Sequence, residues 1–201
     1  MAIAARSPTP ASSALLHDGS AITIRPIRAS DLELERAFVR GLSRETRYQR
    51  LHSARDLRPG ELERMTNIDP DREAALIATT EVDGAEQEVG VARYARDDET
   101  GEYEFAIVIA DAWQGRGLGE RLMCELIRTA EAAGVPALTG IVQSTNDAML
   151  HLARKFGFRA WHDPDTAFIT QLRKPLGAGN DDAAGAPARR YYNSCSWRHA
   201  A

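Results

Sequence analysis

At 201 residues the chain is long enough for one domain with a substantial core and too short for two full-sized ones. A net charge of −4, with 43% hydrophobic and 27% charged residues, is ordinary for a globular protein and gives no electrostatic case for a nucleic-acid or anionic-membrane partner. Cys124 and Cys195 lack C-x-x-C spacing, so neither a disulfide framework nor a metal site is suggested; without a continuous apolar leader or a bilayer-length apolar run, a soluble cytoplasmic protein is expected.

Residues 1–20, rich in Ala, Ser and Pro, read as a disordered tail. "AITIRPI" alternates and stops near Pro26, predicting a first strand. Ser30 and Glu33 form an S-x-x-E capping box, and Leu32, Leu34, Phe38 and Leu42 supply the apolar side of the helix that follows. "GLSRETRYQRLHSA" predicts a second helix started by Ser43, and Pro59 opens a short third one. "AALIATTEV" ends at Asp83-Gly84, a hairpin signal; "EVGVARYARD" answers it, and "DETGE" turns the chain into "EYEFAIVIAD". The glycine cluster "QGRGLG" then opens a helix with Leu118, Leu122, Leu126 and Ala130 at i, i+4 spacing and Gly134 as its stop. A strand "ALTGIVQS", a helix from Asn146 to Phe156 and the strands "FRAWHD" and "TAFITQL" complete the set. Three hairpin-linked strands, then helix, strand, helix and two strands predict an α+β or mixed α/β domain on one central sheet. Residues 21–176 form this domain, and residues 177–201, rich in Gly, Ala and Asp, read as a flexible tail. Its "RRYYNSCSWRH" end is either solvated or a docking element.

A glycine cluster at a helix start suggests a phosphate site. A nucleotide-hydrolase loop needs Gly-Lys-Ser/Thr, and no lysine is present. A dinucleotide fingerprint needs G-x-G-x-x-G, but Glu120 stands where the last glycine belongs, and "IVQST" carries no distal acid. What remains is Gln-x-x-Gly-x-Gly, filled by Gln114, Gly117 and Gly119. In this reading the N–H groups of residues 115–119 face an anion at the helix N-terminus, glycine keeps any Cβ from holding a pyrophosphate away, and Arg116 adds a contact at the rim.

Gln114, Gly115, Arg116, Gly117, Leu118 and Gly119 after a strand, followed by "NDAMLHLARKFGF", resemble the GNAT superfamily of N-acetyltransferases, which binds acetyl-CoA through this loop. The resemblance spans residues 21–173. It implies a GNAT-like, mostly antiparallel, twisted sheet flanked by helices and splayed at the cofactor site. Upstream, "LSRETRYQRLHSARDLRPGELERMTNIDPDREAALIA" resembles bacterial protein-lysine acetyltransferases of the Pat type, whose acetyltransferase domain is usually joined to an acyl-CoA-synthetase-like or nucleotide-sensing domain. Neither is recognised in these residues, so regulation of that kind is expected to be absent or to come from another chain.

A lysine amine is neutral in only about one molecule in 2,500 at pH 7, so acetyl transfer to it requires a base. Glu102 and Glu104 lie on one face of the strand before the loop, where a carboxylate beside apolar "FAIVI" would have a raised pKa. Glu104 occupies the position that resembles the Pat-type catalytic glutamate. The resemblance further implies that backbone groups of Ile107, Val108 and Ile109 pair with the pantetheine arm, one N–H facing the thioester oxygen. It also suggests that the Asn146 amide touches that arm; Asn is equally a preferred N-cap. Many members place a tyrosine acid in this last helix, where this chain has Ala153, and the nearby His151 reads as a surface or core residue. Lys155, Phe156, Gly157 and Phe158 read as helix end and core anchor, and Trp113 and Trp161 as packing. Arg72 and Glu73 line the acceptor entrance or face solvent.

The expected activity is acetyl-CoA-dependent N-acetylation in a ternary complex, with acetyl-CoA as co-substrate and no metal. The expected acceptor is a protein lysine, for example on an acyl-CoA synthetase. A small amine or antibiotic is the alternative acceptor, and a non-catalytic CoA-binding sensor the alternative outside enzymes. Monomer and homodimer are both compatible, with no nucleic-acid or membrane partner.

Overall fold

The computed structural model describes residues 10–51, 59–162 and 168–177, and its strands form one eight-stranded sheet. In chain order the elements are β1 (Ser12–Leu15), β2 (Ala21–Pro26), a 3-10 turn (Ala29–Asp31), α1 (Leu32–Gly41), α2 (Arg44–Leu51), α3 (Pro59–Thr66), β3 (Glu73–Val82), β4 (Ala85–Arg96), β5 (Tyr103–Ile109), a second 3-10 turn (Asp111–Trp113), α4 (Leu118–Ala132), β6 (Ala137–Gln143), α5 (Asp147–Lys155), β7 (Arg159–His162) and β8 (Ile169–Pro175). The strand order is β1-β2-β3-β4-β5-β6-β8-β7. Every neighbouring pair is antiparallel except β5 and β6. This is the expected mixed α/β class with an open, mostly antiparallel sheet and flanking helices.

Local chemistry explains most of these elements. Asp83 and Gly84 have φ of 52° and 79°, the paired left-handed geometry of a two-residue hairpin that matches the twist of β3 and β4. Leu118, Leu122, Leu126 and Ala130, each at most 1% exposed, set the face α4 lays against the sheet. Gly134 at φ 71° ends that helix, and Val135 N–H reaches back to Ala130 O at 3.0 Å. Together with Leu76, Tyr94, Phe105 and Leu138 this face forms the larger core. A smaller core on other side chains joins Phe38 and Leu42 to Ile77, Val91 and Val108.

Two expectations are corrected. The segment through residue 20 contains β1, whose Ser12–Leu15 register with Ile24 to Ala21, and Leu16 beyond it is buried. Ala14 and Leu16 supply the inward period; the exposed Leu15 between them breaks the sequence pattern. The first helix is also entered differently. Ser30 lies within the 3-10 turn, and no side chain caps α1. Asp31 organises the entry, accepting from the Arg28 N–H at 2.7 Å and from the Arg25 guanidinium at 2.7 and 3.0 Å. Burial opposes ionisation of Asp31, but these donors hold its carboxyl below the usual range. α1 buries Glu35 and Phe38, whereas Leu32 and Leu34 are only half-buried. The expected C-terminal tail from residue 178, the end of the second predicted helix (52–54), Asp163 and Cys195 lie outside the described residues.

Candidate functional site

The parallel strands β5 and β6 register only at Tyr103–Leu138 and Glu104–Thr139. Beyond those pairs β5 stays with β4 as far as Ile109, and β6 stays with β8 as far as Gln143. The strands therefore part after Glu104, and a cleft of about 600 Å³ opens between them. Ile107, Val108 and Ile109 line one wall and Ile141 and Val142 the other; Gln114, Gly115, Gly117 and Gly119 follow the first strand and Asn146 follows the second.

Of the two candidate carboxylates, half-buried Glu104 belongs to the last registered pair and lines the cleft. Glu102 precedes β5, is paired with the Arg173 guanidinium at 2.7 Å and is not among the lining residues.

The glycine loop follows β5 through the second 3-10 turn. Gln114 donates from Nε2 to Ile109 O at 3.2 Å, tying the loop to the strand end. Gly115 and Gly117 hold φ of 73° and 89°, a region that favours glycine. A Cβ on Gly115 would meet nothing within 4 Å, and one on Gly117 would meet the His17 ring at 2.8 Å. On Gly119 it would touch Leu152 at an ordinary 3.5 Å. Leu118, the first residue of α4, is buried and packs inward. Arg121 N–H is the donor to Gly117 O at 3.2 Å, so the amides ahead of it are those the helix ladder leaves unused. Arg116, expected at an anion rim, pairs with Asp18 at 2.9 Å and lies 4.9 Å over the Trp113 ring.

α2 closes the other side. Ser43 donates from N–H and hydroxyl to Asp111 at 2.9 and 2.8 Å, and Thr46 from its hydroxyl at 2.8 Å. Burial opposes ionisation of Asp111, but these hydrogen bonds hold its carboxyl below the usual range. Asn146 caps α5, accepting from Met149 N–H at 3.0 Å, and its Nδ2 donates to Gln49 at 3.3 Å across the cleft. His17, Thr46 and Gln49 line the cleft through tertiary contacts that carried no sequence signal of their own.

Of the remaining candidates, His151 and Trp113 also line the cleft and the others lie away from it. Ala153 is buried at 1% in the core, and His151 is exposed but lines the cleft. Lys155 pairs with Glu120 at 2.6 Å, and this hydrogen bond lowers the Glu120 pKa. Arg72 pairs with Asp98, and Glu73 with Arg64, away from the cleft lining. Trp113 packs on the larger core, while Trp161 Nε1 is buried without a partner among the described residues. No group of three or more His, Cys, Asp or Glu that would hold a metal occurs among the described residues, and none of their helices is long and apolar enough to cross a membrane.

Residues 36–158 match the model of the acetyltransferase (GNAT) family. A Pseudomonas aeruginosa protein described as an acetyltransferase is 38% identical over 151 residues, covering 75% of this chain and 81% of that protein. Among solved structures, the GNAT domain of S. lividans PAT superposes with TM-score 0.73 at 24% identity, over 83% of this chain and 97% of that one. A Salmonella typhimurium protein solved with its cofactor acetyl-CoA gives TM-score 0.61 at 19% identity, over 82% and 99%.

Proposed function

The chain belongs to the acetyltransferase (GNAT) family and is an acetyl-CoA-dependent N-acetyltransferase, and we propose that it transfers acetyl directly to a protein lysine with Glu104 as general base. One observation carries the assignment of the base: Glu104 is the half-buried carboxylate at the point where β5 and β6 part, lining the cleft between them. A carboxylate there is placed to take the ammonium proton from an amine entering the cleft, directly or through water.

The cleft suits the co-substrate. The unused amides of Gly115, Arg116, Gly117, Leu118 and Gly119 would hold a pyrophosphate at the N-terminus of α4. The edge of β5 that β6 leaves uncovered, at Ile107, Val108 and Ile109, would accept the pantetheine arm as an added strand. Gln114 fixes the loop against that strand, and Asn146 both caps α5 and presents its amide to the cleft. Acetyl-CoA supplies an activated thioester there, and a β5 N–H facing the thioester oxygen would stabilise the charge that develops on it. No hydroxyl stands at position 153 to protonate the departing thiolate. A thiol of pKa about 8.5 leaves without one. The upstream resemblance to Pat-type enzymes supports a protein lysine as acceptor, and Thr46 and Gln49 of that segment line the cleft.

The test is thiol release from acetyl-CoA with a lysine-bearing protein and with a set of small amines. Release with the protein is expected. Release with small amines alone would reassign the acceptor, and binding without release in either set would make the chain a CoA sensor. Glu104→Gln should lower turnover about 100- to 10,000-fold with acetyl-CoA affinity nearly unchanged. Wild-type turnover would refute the base.

A further inference from the structure

His17 stands outside residues 36–158 that match the family model, yet it lies directly on the glycine loop. The position a Cβ would take on Gly117 is 2.8 Å from His17 Cε1, 3.0 Å from Nε2 and 3.1 Å from Nδ1, so both ring nitrogens are among the atoms nearest the loop. The turn between β1 and β2 that carries the ring is fastened in place. Leu16 is buried and its N–H donates to Ser20 O at 2.9 Å, and Ser20 N–H donates to Asp18 at 3.0 Å. His17 N–H donates to Arg116 O at 3.2 Å, and Asp18 pairs with the Arg116 side chain at 2.9 Å.

These contacts redistribute charge at the cleft mouth. A pyrophosphate brings negative charge that loop amides meet only with partial dipoles. Arg116 is engaged by Asp18 and Trp113, and Lys155 by Glu120. His17 and His151 are both exposed, line the cleft and act on the Glu120 carboxylate, and of the two it is His17 whose ring lies against the Gly117 backbone. We infer that His17 is a cofactor-binding residue: its imidazole N–H contacts the phosphates of the co-substrate beside the loop amides. Asp18 and Arg116 act as positioning residues that hold the turn against the loop. This inference rests on the acetyl-CoA reading of the cleft.

Two ligands separate a phosphate contact from a general loss of structure. Acetyl-CoA and S-acetylpantetheine share the thioester arm, and only the first carries phosphates. Titration calorimetry of His17→Ala should show acetyl-CoA affinity reduced about tenfold or more, the scale of a lost hydrogen bond to a charged group, with S-acetylpantetheine affinity unchanged. His17→Gln, which keeps an N–H donor, should recover part of the loss. An unchanged or tightened acetyl-CoA affinity in His17→Ala would overturn the inference, as would equal losses for both ligands. A wild-type protein that binds neither ligand would instead overturn the acetyl-CoA reading itself.

Discussion

Glu88 on β4 is 2% exposed, and its carboxyl lies against that of Glu35. Burial, reinforced by the nearby Glu35 carboxylate and only partly offset by Arg93, pushes its pKa up to about 10. The neutral acid is thus the form the fold accommodates. A carboxyl whose folded pKa exceeds its unfolded value binds more protons when folded, so its stabilisation is complete below the unfolded pKa and is lost as pH rises toward the folded one. Here that window runs upward from 4.5 to about 10. Glu88→Gln keeps the shape without the titration. Its stability relative to wild type should therefore improve as pH rises from about 5 to about 8. Denaturant melts at the two pH values check this, and a pH-independent difference would contradict it. None of this was legible in "LELERAFVR", where a carboxylate on an amphipathic helix reads as solvent-facing. Glu35 is buried because Arg93, 58 positions along the chain, approaches to 3.8 Å.

At the scale of elements, the divergence of β5 and β6 begins where Phe105 follows Glu104 and Gly140 follows Thr139. A Cβ on Gly140 would lie 2.6 Å from Phe105 Cε1, so the ring occupies the space a side chain there would need. Phe105 packs in turn on Phe158, with ring centroids 4.9 Å apart. Gly140→Ala should force this aromatic pair to move, at a cost of about 1–3 kcal/mol typical of an overfilled core. Chemical denaturation measures it, and a cost below about 0.5 kcal/mol would show that the ring yields freely. The helices of this region were readable because α4 and α5 follow the 3.6-residue period. The separation of two neighbouring strands has no sequence period, since it depends on which partner each edge finds.

Across the whole molecule, the contacts between β1 to β5 and β6 to β8 include two registered strand pairs, the Thr139 hydroxyl bonded to Tyr103 O at 3.2 Å, the Phe105–Phe158 ring pair, the Glu102–Arg173 ion pair and the packing of α4. The cleft between these halves exists only in the folded state, so a ligand that fills it stabilises folding by mass action. Acetyl-CoA at a hundred times its Kd should add about 2.7 kcal/mol. That corresponds to a rise in Tm of roughly 5–10 °C for a chain of this size. Thermal melts with and without the co-substrate test it, and an unshifted Tm at saturation would argue against binding in the cleft.

The sequence by itself determined the element order from β2 onward, the hairpin at Asp83-Gly84, the face of α4 and the family, because these depend on residues within a few positions of one another. It also singled out Glu104 and the loop from Gln114 to Gly119 as candidates. Tertiary structure alone decided that Glu104 and not Glu102 lines the cleft, that Arg116 is paired with Asp18, and that His17 covers Gly117. Each of these depends on groups brought together from distant parts of the chain, where a long-range partner supplies the charge or the contact and no local pattern records it.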